Sequence, residues 1–319
     1  MRDAALTVEN QGPAIEFTER PLCALCGSAE RSVHRAFPDI PVVRCSHCGF
    51  LYSSRIMSSS TMEAYYRDNF GSKRHLQGQI VNARTNAVAL QYLLNLKEIR
   101  SWLDVGTGYG LLLKWLKERG IRAEGIELSN QEADYARGEL GLDVRSRLLS
   151  EANLPLASFD VVSCFEVIEH VSEPIAFLKE LAGYVRPGGY LVVMTDNFES
   201  TAVRKLKGSF PKWIPHTHIS HFGPESLRKC MTSLSGITIA KEASYTPWDV
   251  VGRQYLTAMR PPVSDERAYD VRAALSTEMH RNYKLYQLRY MLNPVWTRMN
   301  LRRSLDGGAL MYAVARKRA

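Results

Sequence analysis

From Ser101 onward the chain alternates short apolar runs with helix-like stretches: "WLDVGTG", "LLLKWLKERG", "IRAEGIEL", "QEADYARGEL", "FDVVSCF", "PIAFLKELAGYVR" and "YLVVMTDN". When a helix separates each strand from the next, the connection is a crossover, so successive strands lie parallel and helices cover both faces of the sheet. The alternation predicts an α/β fold with a doubly wound, mostly parallel sheet. Such sheets bind ligands beyond the carboxyl ends of their strands, near the point where strand order reverses. The residues to weigh are therefore those that close each apolar run. At 319 residues the chain can bury a full core, as one large domain or two smaller ones.

The first such closure is "LDVGTGYG", which puts Asp104, Gly106, Thr107, Gly108 and Gly110 after a strand and at the opening of a helix. Glycines let the backbone turn sharply and approach a ligand closely, and a helix N-terminus favours a negative group. The second run ends on Glu127 in "AEGIEL", where a carboxylate can accept hydrogen bonds from both hydroxyls of a ribose. The dinucleotide fingerprint also puts an acid at that place. Its loop, however, reads glycine, any, glycine, any, any, glycine, whereas this loop has glycine at every second position from 106 to 110 and an acid two residues before the first.

The fourth strand-like run closes on "CFEVIEHVSEP". If the turn after Phe165 is helical, Glu166, Glu169 and His170 share a face and can converge on a substrate, a proton or a metal ion; the plainer alternative is that they cap the next element and face water. A histidine there suits a general base, its ordinary pKa lying near working pH. Further on, "WIPHTHISHF" offers His216, His218 and His221.

Two cysteine pairs precede all of this: Cys23 and Cys26 in "PLCALCGS", Cys45 and Cys48 in "VVRCSHCGF". Two knuckles of paired thiolates supply the four sulfur ligands that a structural zinc prefers, and Gly27 and Gly49 follow where the backbone must turn around the ion. Disulfides or a redox dithiol would need an oxidising compartment or a thioredoxin-like setting, and neither is apparent. Cys164 and Cys230 sit in apolar surroundings as core thiols. The expected organisation is a flexible lead-in over 1–20, a zinc-ribbon module over 21–57, a helical lead-in over 58–100 with Tyr65 and Tyr66, and the α/β domain over 101–319. A helical insertion is expected at about 255–300, from apolar spacing at Ala274, Leu275, Met279, Tyr283, Leu285 and Leu288; Tyr283, Tyr286 and Tyr290 pack there or stack on a substrate.

The acid-led glycine loop, together with "LPLASFDVVSCFEVIEHV", "LAGYVRPGGYLVVMTDN" and "HFGPESL", resembles the class I S-adenosylmethionine-dependent methyltransferases over most of residues 101–240. The resemblance implies their Rossmann-like fold and a role for each motif. Asp104 and the loop from Gly106 through Thr107 and Gly108 to Gly110 would surround the methionine part of the cofactor. Glu127 would hold the ribose beside Leu128. Glu151, or else Asn153, would edge the adenine, and Phe165 would line the site. The spacing of Glu166, Glu169 and His170 is similar to a motif of ubiquinone-pathway O-methyltransferases and of small-RNA 3′-terminal 2′-O-methyltransferases. There a divalent ion such as Mg orients the attacking hydroxyl with a further histidine, here His218 or His221. Similar sequences occur in metal-independent members, where the glutamate and histidine cap a helix or line the pocket. The knuckles followed by "GFLYSS" and "MEAYYRDNF" also look like the lead-in of zinc-ribbon-bearing bacterial methyltransferases. The expected activity is methyl transfer to a small metabolite, sugar derivative or natural-product intermediate. The alternatives are a metal-assisted 2′-O-methyltransferase acting on RNA and a non-catalytic zinc-ribbon binding scaffold.

The remaining bounds are coarse. The net charge of +8 favours an anionic partner only weakly, because the basic residues are scattered. No apolar run approaches bilayer length, so no membrane span is expected. "MRDAALTVENQGPAIEFTER" lacks the basic start and compact apolar stretch of a secretory signal, so a cytoplasmic location is expected. Oligomeric state is left open.

Overall fold

The computed structural model describes residues 16–69, 73–258 and 286–319. Its N-terminal part holds strands β1 (Phe17–Glu19), β2 (Arg31–Arg35), β3 (Val42–Cys45), β4 (Leu51–Ser53) and β5 (Arg55–Met57), then helices α1 (Ser59–Asn69) and α2 (Lys73–Leu93). The alternating part runs β6 (Ser101–Val105), α3 (Leu111–Lys117), β7 (Arg122–Ile126), α4 (Asn130–Gly138), β8 (Asp143–Arg145), β9 (Phe159–Phe165), α5 (Pro174–Tyr184) and β10 (Val185–Asp196). It continues with α6 (Thr201–Leu206), β11 (Ser220–His221), α7 (Pro224–Thr232), β12 (Ile237–Tyr245), α8 (Trp248–Ala258), α9 (Tyr286–Asn300) and β13 (Leu310–Lys317).

The main sheet has seven strands in the order β12-β13-β10-β9-β6-β7-β8. Strands β8, β7, β6, β9 and β10 are mutually parallel, and β13 runs antiparallel between β10 and β12. This is the mostly parallel, doubly wound sheet that the alternation predicts. The central strand "SWLDV" is buried along its whole length because both faces are covered, which is why it reads as near-continuous apolar sequence. Its side chains still alternate. Trp102 joins Val161, Val192 and Val314 on one face, while Leu103 and Val105 join Val162, Cys164 and Leu191 on the other. From β6 the chain moves outward through β7 and β8, then returns to β9 on the opposite side. Strand order therefore reverses between β6 and β9, and the crevice there is where a ligand is expected.

Cys164 and Cys230 are fully buried in the same apolar cluster, and burial raises both thiols, Cys230 to about 12. Both lie in the core as expected.

The cysteine module is not a separate bead. Strands β2, β3 and β4 form a sheet whose fourth strand is β11, drawn from residues 220–221 far along the chain. Ser220 pairs with Tyr52 and His221 with Leu51. Ser53 donates through its backbone N to Ile219 O at 3.0 Å and through Oγ to Pro215 O at 3.0 Å. The buried Arg20 adds a clamp, donating to Ile219 O at 2.9 Å and to Ser172 O at 2.5 Å. Ahead of it, β1 pairs with β5, so the expected lead-in ends in a strand.

Of the residues that suggest a helical insertion, Ala274, Leu275, Met279, Tyr283 and Leu285 lie outside the described residues. Leu288 is exposed on α9, and the exposed Tyr290 carries the Arg84 guanidinium over its ring at 3.9 Å instead of packing in a core. No helix among the described residues is long and apolar enough to cross a membrane.

Candidate active site

The glycine loop leaves β6 with Gly106, Gly108 and Gly110 all in the left-handed region, at φ +76°, +58° and +74°. Here glycine is required twice over: a Cβ at Gly106 would meet Val167 Cγ2 at 2.3 Å, and one at Gly108 would meet the Gln79 amide at 2.2 Å. The loop is thus gripped from two sides, by the turn after β9 and by helix α2.

Glu127, just past β7, accepts from Gly108 N at 2.7 Å and from Ser129 N at 2.8 Å. Each carboxylate oxygen has a second lone pair for a ligand diol. Asp104 at the end of β6 accepts from Ser163 Oγ at 2.6 Å, and that hydroxyl in turn accepts from Trp102 Nε1 at 2.7 Å. Thr107 is buried, while Leu128 and Phe165 are half-buried. Glu151 is exposed, at the end of a 3₁₀ turn over Leu149–Glu151, and the neighbouring Asn153 is in the left-handed region.

Helix α2 supplies polar groups that the sequence reading missed. Gln79 Oε1 accepts from Tyr109 N at 2.9 Å, its amide nitrogen donates to Glu132 at 3.2 Å, and His75 Nδ1 lies 2.7 Å from Glu132. Three residues on, Asn82 donates to Glu166 at 2.9 Å. The signal was present as polar residues at positions 75, 79 and 82, on one face of an otherwise mixed helix.

The opposite side of the crevice begins at Glu166. Its N still donates to Met194 O at 2.9 Å as the strand would continue, but its φ is +54°, which turns the chain sharply. A 3₁₀ turn over Ile168–His170 follows, so the three groups do not share an α-helical face. They converge all the same. Glu166, Glu169 and Asp196 each offer a ligand atom within 4.8 Å of one another, and so do Glu169, His170 and His218. Glu169 is completely buried; Thr195 Oγ1 donates to its Oε2 at 2.9 Å, and its Oε1 has no hydrogen-bond partner. Lys212 reaches in to pair with Glu166 and, at 3.3 Å, with Asp196.

His170 Nδ1 lies 2.8 Å from Thr217 O and 2.8 Å from Tyr66 OH. A carbonyl only accepts, so in the neutral ring Nδ1 carries the proton and Nε2 carries the lone pair. Burial lowers this imidazole to about 4, which makes the neutral form the resident one. His218 stands edge-on to it, ring centroids 4.7 Å apart. His216 is buried, and His221 faces away from the carboxylates, packed on Phe198 and Trp213 at 4.5 and 5.2 Å. Asp196 and Lys212 were not singled out from sequence. Asp196 ends β10 and was findable by the strand-end rule, whereas nothing marks Lys212 among the chain's scattered basic residues.

In the N-terminal module the four cysteines are free thiols. Their sulfurs lie within 4.8 Å of one another, with Cys23–Cys48 and Cys26–Cys45 at 3.5 Å. A tetrahedral ion with sulfur ligands at 2.3 Å needs sulfur–sulfur edges of about 3.8 Å, so the set fits. Gly27 and Gly49 take φ of +72° and +75° and donate back to Cys23 O and Cys45 O at 2.8 and 2.9 Å, which closes each knuckle.

Burial pushes Asp104 up to about 7; burial and then the Glu132 charge push Glu127 to about 7. A carboxyl whose folded pKa is raised holds its proton longer in the folded state. Its stabilising effect is full below its unfolded pKa near 4.5 and is lost as pH rises through 7. Glutamine removes this titration but can accept from only one of the Gly108 and Ser129 N–H groups, so the melting temperature of cofactor-free Glu127→Gln minus that of wild type should rise by roughly 2–5 °C between pH 5 and pH 8, whatever its value at pH 5. Thermal scans of both proteins across that range check this. A difference that does not change with pH would mean that Glu127 is not held in a desolvated pocket.

A family model described as a methyltransferase domain matches residues 74–236. Among curated proteins, a ubiquinone biosynthesis O-methyltransferase of Idiomarina loihiensis is 39% identical over 101 residues, covering 30% of this chain and 42% of that one. One of Caulobacter vibrioides is 33% identical over 158 residues, covering 45% and 60%. The chain spans about half the length of these curated relatives. A solved structure of a SAM-dependent methyltransferase from Thermotoga maritima has a TM-score of 0.49 at 20% identity, covering 75% of this chain and 89% of that one.

Proposed function

Since the chain belongs to the methyltransferase-domain family, as an S-adenosylmethionine-dependent enzyme of class I, we propose that it methylates an oxygen of a small hydroxyl-bearing metabolite. The observation that carries this reading is the meeting of two half-sites on one set of strand ends. The acid-led glycine loop and Glu127 lie on one side, and the Glu166, Glu169, His170 and His218 cluster lies on the other. The relatives are named for ubiquinone biosynthesis, which favours a small molecule over RNA as the acceptor.

In this reading Asp104, Gly106, Thr107, Gly108, Gly110, Glu127, Leu128 and Phe165 hold the cofactor, with Glu151 at its adenine edge. The bound cofactor supplies a sulfonium methyl already activated for in-line displacement, so positioning the acceptor does much of the work. His170, fixed by Thr217 O in the tautomer with its lone pair on Nε2, accepts the hydrogen bond of the acceptor hydroxyl and takes its proton as the new bond forms. Glu169 and Glu166 shape the charge around that oxygen. The Cys23, Cys26, Cys45 and Cys48 set holds a structural zinc. A second reading rests on the ligand atoms of Glu169, His170 and His218 within 4.8 Å of one another. A divalent ion such as Mg there would polarise the acceptor oxygen, and chelation would then stop turnover.

The cofactor half is tested without knowing the acceptor. Two ribose hydrogen bonds to a carboxylate are worth about 1.5–3 kcal/mol each in a protected site, so Glu127→Ala should weaken S-adenosylmethionine binding at least about tenfold by calorimetry. Unchanged affinity would mean the ribose is held elsewhere. The acceptor half is tested by incubating the enzyme with labelled cofactor and a panel of hydroxylated metabolites, with mass spectrometry reporting O-methyl products. Products methylated only on nitrogen or carbon would overturn it.

A further inference from the structure

We infer that Lys212 is the resident cation of the acceptor site, its ammonium taking the place among Glu166, Glu169 and Asp196 that a divalent metal ion would otherwise fill. The inference rests on the acceptor-side reading above and names the charge that the site works with.

Three observations converge on it. First, the three carboxylates come from two elements, Glu166 and Glu169 from the turn after β9 and Asp196 from the end of β10, yet each brings an oxygen within 4.8 Å of the others. Asp196 and Glu169 are buried, and the Glu166 side chain is only 23% exposed, so water screens this cluster poorly. Second, Lys212 approaches from the loop before β11 with a side chain only 14% exposed, and it pairs with Glu166 and, at 3.3 Å, with Asp196. It therefore bridges two members of the trio. Third, Glu169 Oε1 is fully buried without a hydrogen-bond partner. An unpaired carboxylate oxygen in such a place points to a ligand group that completes it, and the acceptor hydroxyl is the group the proposed chemistry brings.

A lysine suits this position. Its ammonium is a compact point charge with three donors, so it can bridge Glu166 and Asp196 at once. Fixed in place by the fold, it orients a polar acceptor by charge and remains when the acceptor leaves. It also repels a second cation. A divalent ion entering the same cluster would have to displace the ammonium or sit beside it, and Glu169, shared with the His170 and His218 set, is in reach of both positions.

The test needs no acceptor and uses manganese as the probe. Mn²⁺ is titrated into the full chain bound to S-adenosylhomocysteine, and free ion is read by electron paramagnetic resonance for wild type, Lys212→Met, Lys212→Gln and Lys212→Arg. Affinity for S-adenosylhomocysteine, measured in parallel, identifies folded variants and tests the cofactor reading separately. Removal of the charge in Lys212→Met or Lys212→Gln should tighten Mn²⁺ binding at least about tenfold, and Lys212→Arg, which keeps the charge, should behave as wild type. Adding Glu166→Gln to Lys212→Met should abolish the gained site. Equal Mn²⁺ affinity in wild type and the neutral variants, whether tight or absent, would overturn the inference. So would a gained site that survives Glu166→Gln.

Discussion

Replacing His170 by alanine is expected to lower the rate of methyl transfer by about 10²–10⁴-fold while leaving S-adenosylmethionine affinity within about twofold. The size of the effect follows from what the imidazole does in the proposed reaction. Its Nδ1–H is committed to Thr217 O at 2.8 Å, so only Nε2 can meet the acceptor, and it meets it as a base. Burial lowers its pKa to about 4, which keeps the ring neutral and able to accept the hydroxyl's hydrogen bond but makes it a weaker base than an ordinary imidazole. The small effect on cofactor affinity follows from geometry. Asp104, the glycine loop and Glu127 hang from β6 and β7, and the backbone bonds that fix Glu127 come from Gly108 and Ser129. The companion variant Glu169→Gln keeps the shape of the side chain and its contact with Thr195, and removes the titration of a carboxyl that burial raises to about 8. A loss in His170→Ala that chelators do not reproduce in wild type supports the base. A loss that chelation reproduces, together with one in His218→Ala, supports a bound ion. Full activity in both His170→Ala and Glu169→Gln would reduce the motif to a structural cap.

The parts of this architecture that were legible in the sequence are those set by local period or local turn chemistry. The run "SWLDV" reads as a core strand because both of its faces are buried, and the glycines at 106, 108 and 110 are forced by the side chains of Val167, Gln79 and Leu142 pressing on the loop. The cysteine knuckles read the same way. What was not legible comes from chain pairs far apart in sequence. Helical spacing suggested one face for Glu166, Glu169 and His170; they converge instead through a left-handed residue at 166 and a 3₁₀ turn, a geometry no side-chain pattern announces. A residue with a Cβ held at positive φ is unfavourable by roughly 1–2 kcal/mol, and such conformations gather where a site needs a particular aim. Lys212 becomes part of the site through contacts distant in sequence: Phe210 and Trp213 on either side of it pack against Phe198, and the chain beyond pairs as β11 with β4. The three histidines of "WIPHTHISHF" could not be told apart by spacing, since the turns through residues 214–219 decide that His218 faces His170 while His221 faces Trp213.

That same pairing sets the largest structural effect expected from one atom's change. Cys45→Ser should eliminate bound zinc, loosen residues 31–57 and lower turnover by about 10²-fold or more, yet leave cofactor affinity within about threefold. With the proposed zinc in place, a sheet of such short strands draws much of its folding free energy from the metal, so a broken ligand set releases the sheet and not merely one knuckle. Releasing it removes the partner of β11. Ser220 loses Tyr52, His221 loses Leu51, and the two bonds from Ser53 to Ile219 and Pro215 go with them. The loop so freed carries Lys212, His218 and the Thr217 carbonyl that sets the His170 tautomer, and a displacement of about 1 Å at such groups is enough to cost about 10²-fold in rate. The cofactor side is spared because Asp104, the glycine loop and Glu127 follow β6 and β7, which pair within the seven-stranded sheet and not with the β2-β3-β4-β11 sheet. Hydrogen exchange gives the readout that separates this chain of effects from general unfolding. Amides at 219–221 should exchange faster together with those of β3 and β4, while those of β6 and β7 keep their protection. A zinc-free protein with full turnover and protected amides at 219–221 would show instead that the α/β domain holds the acceptor loop unaided.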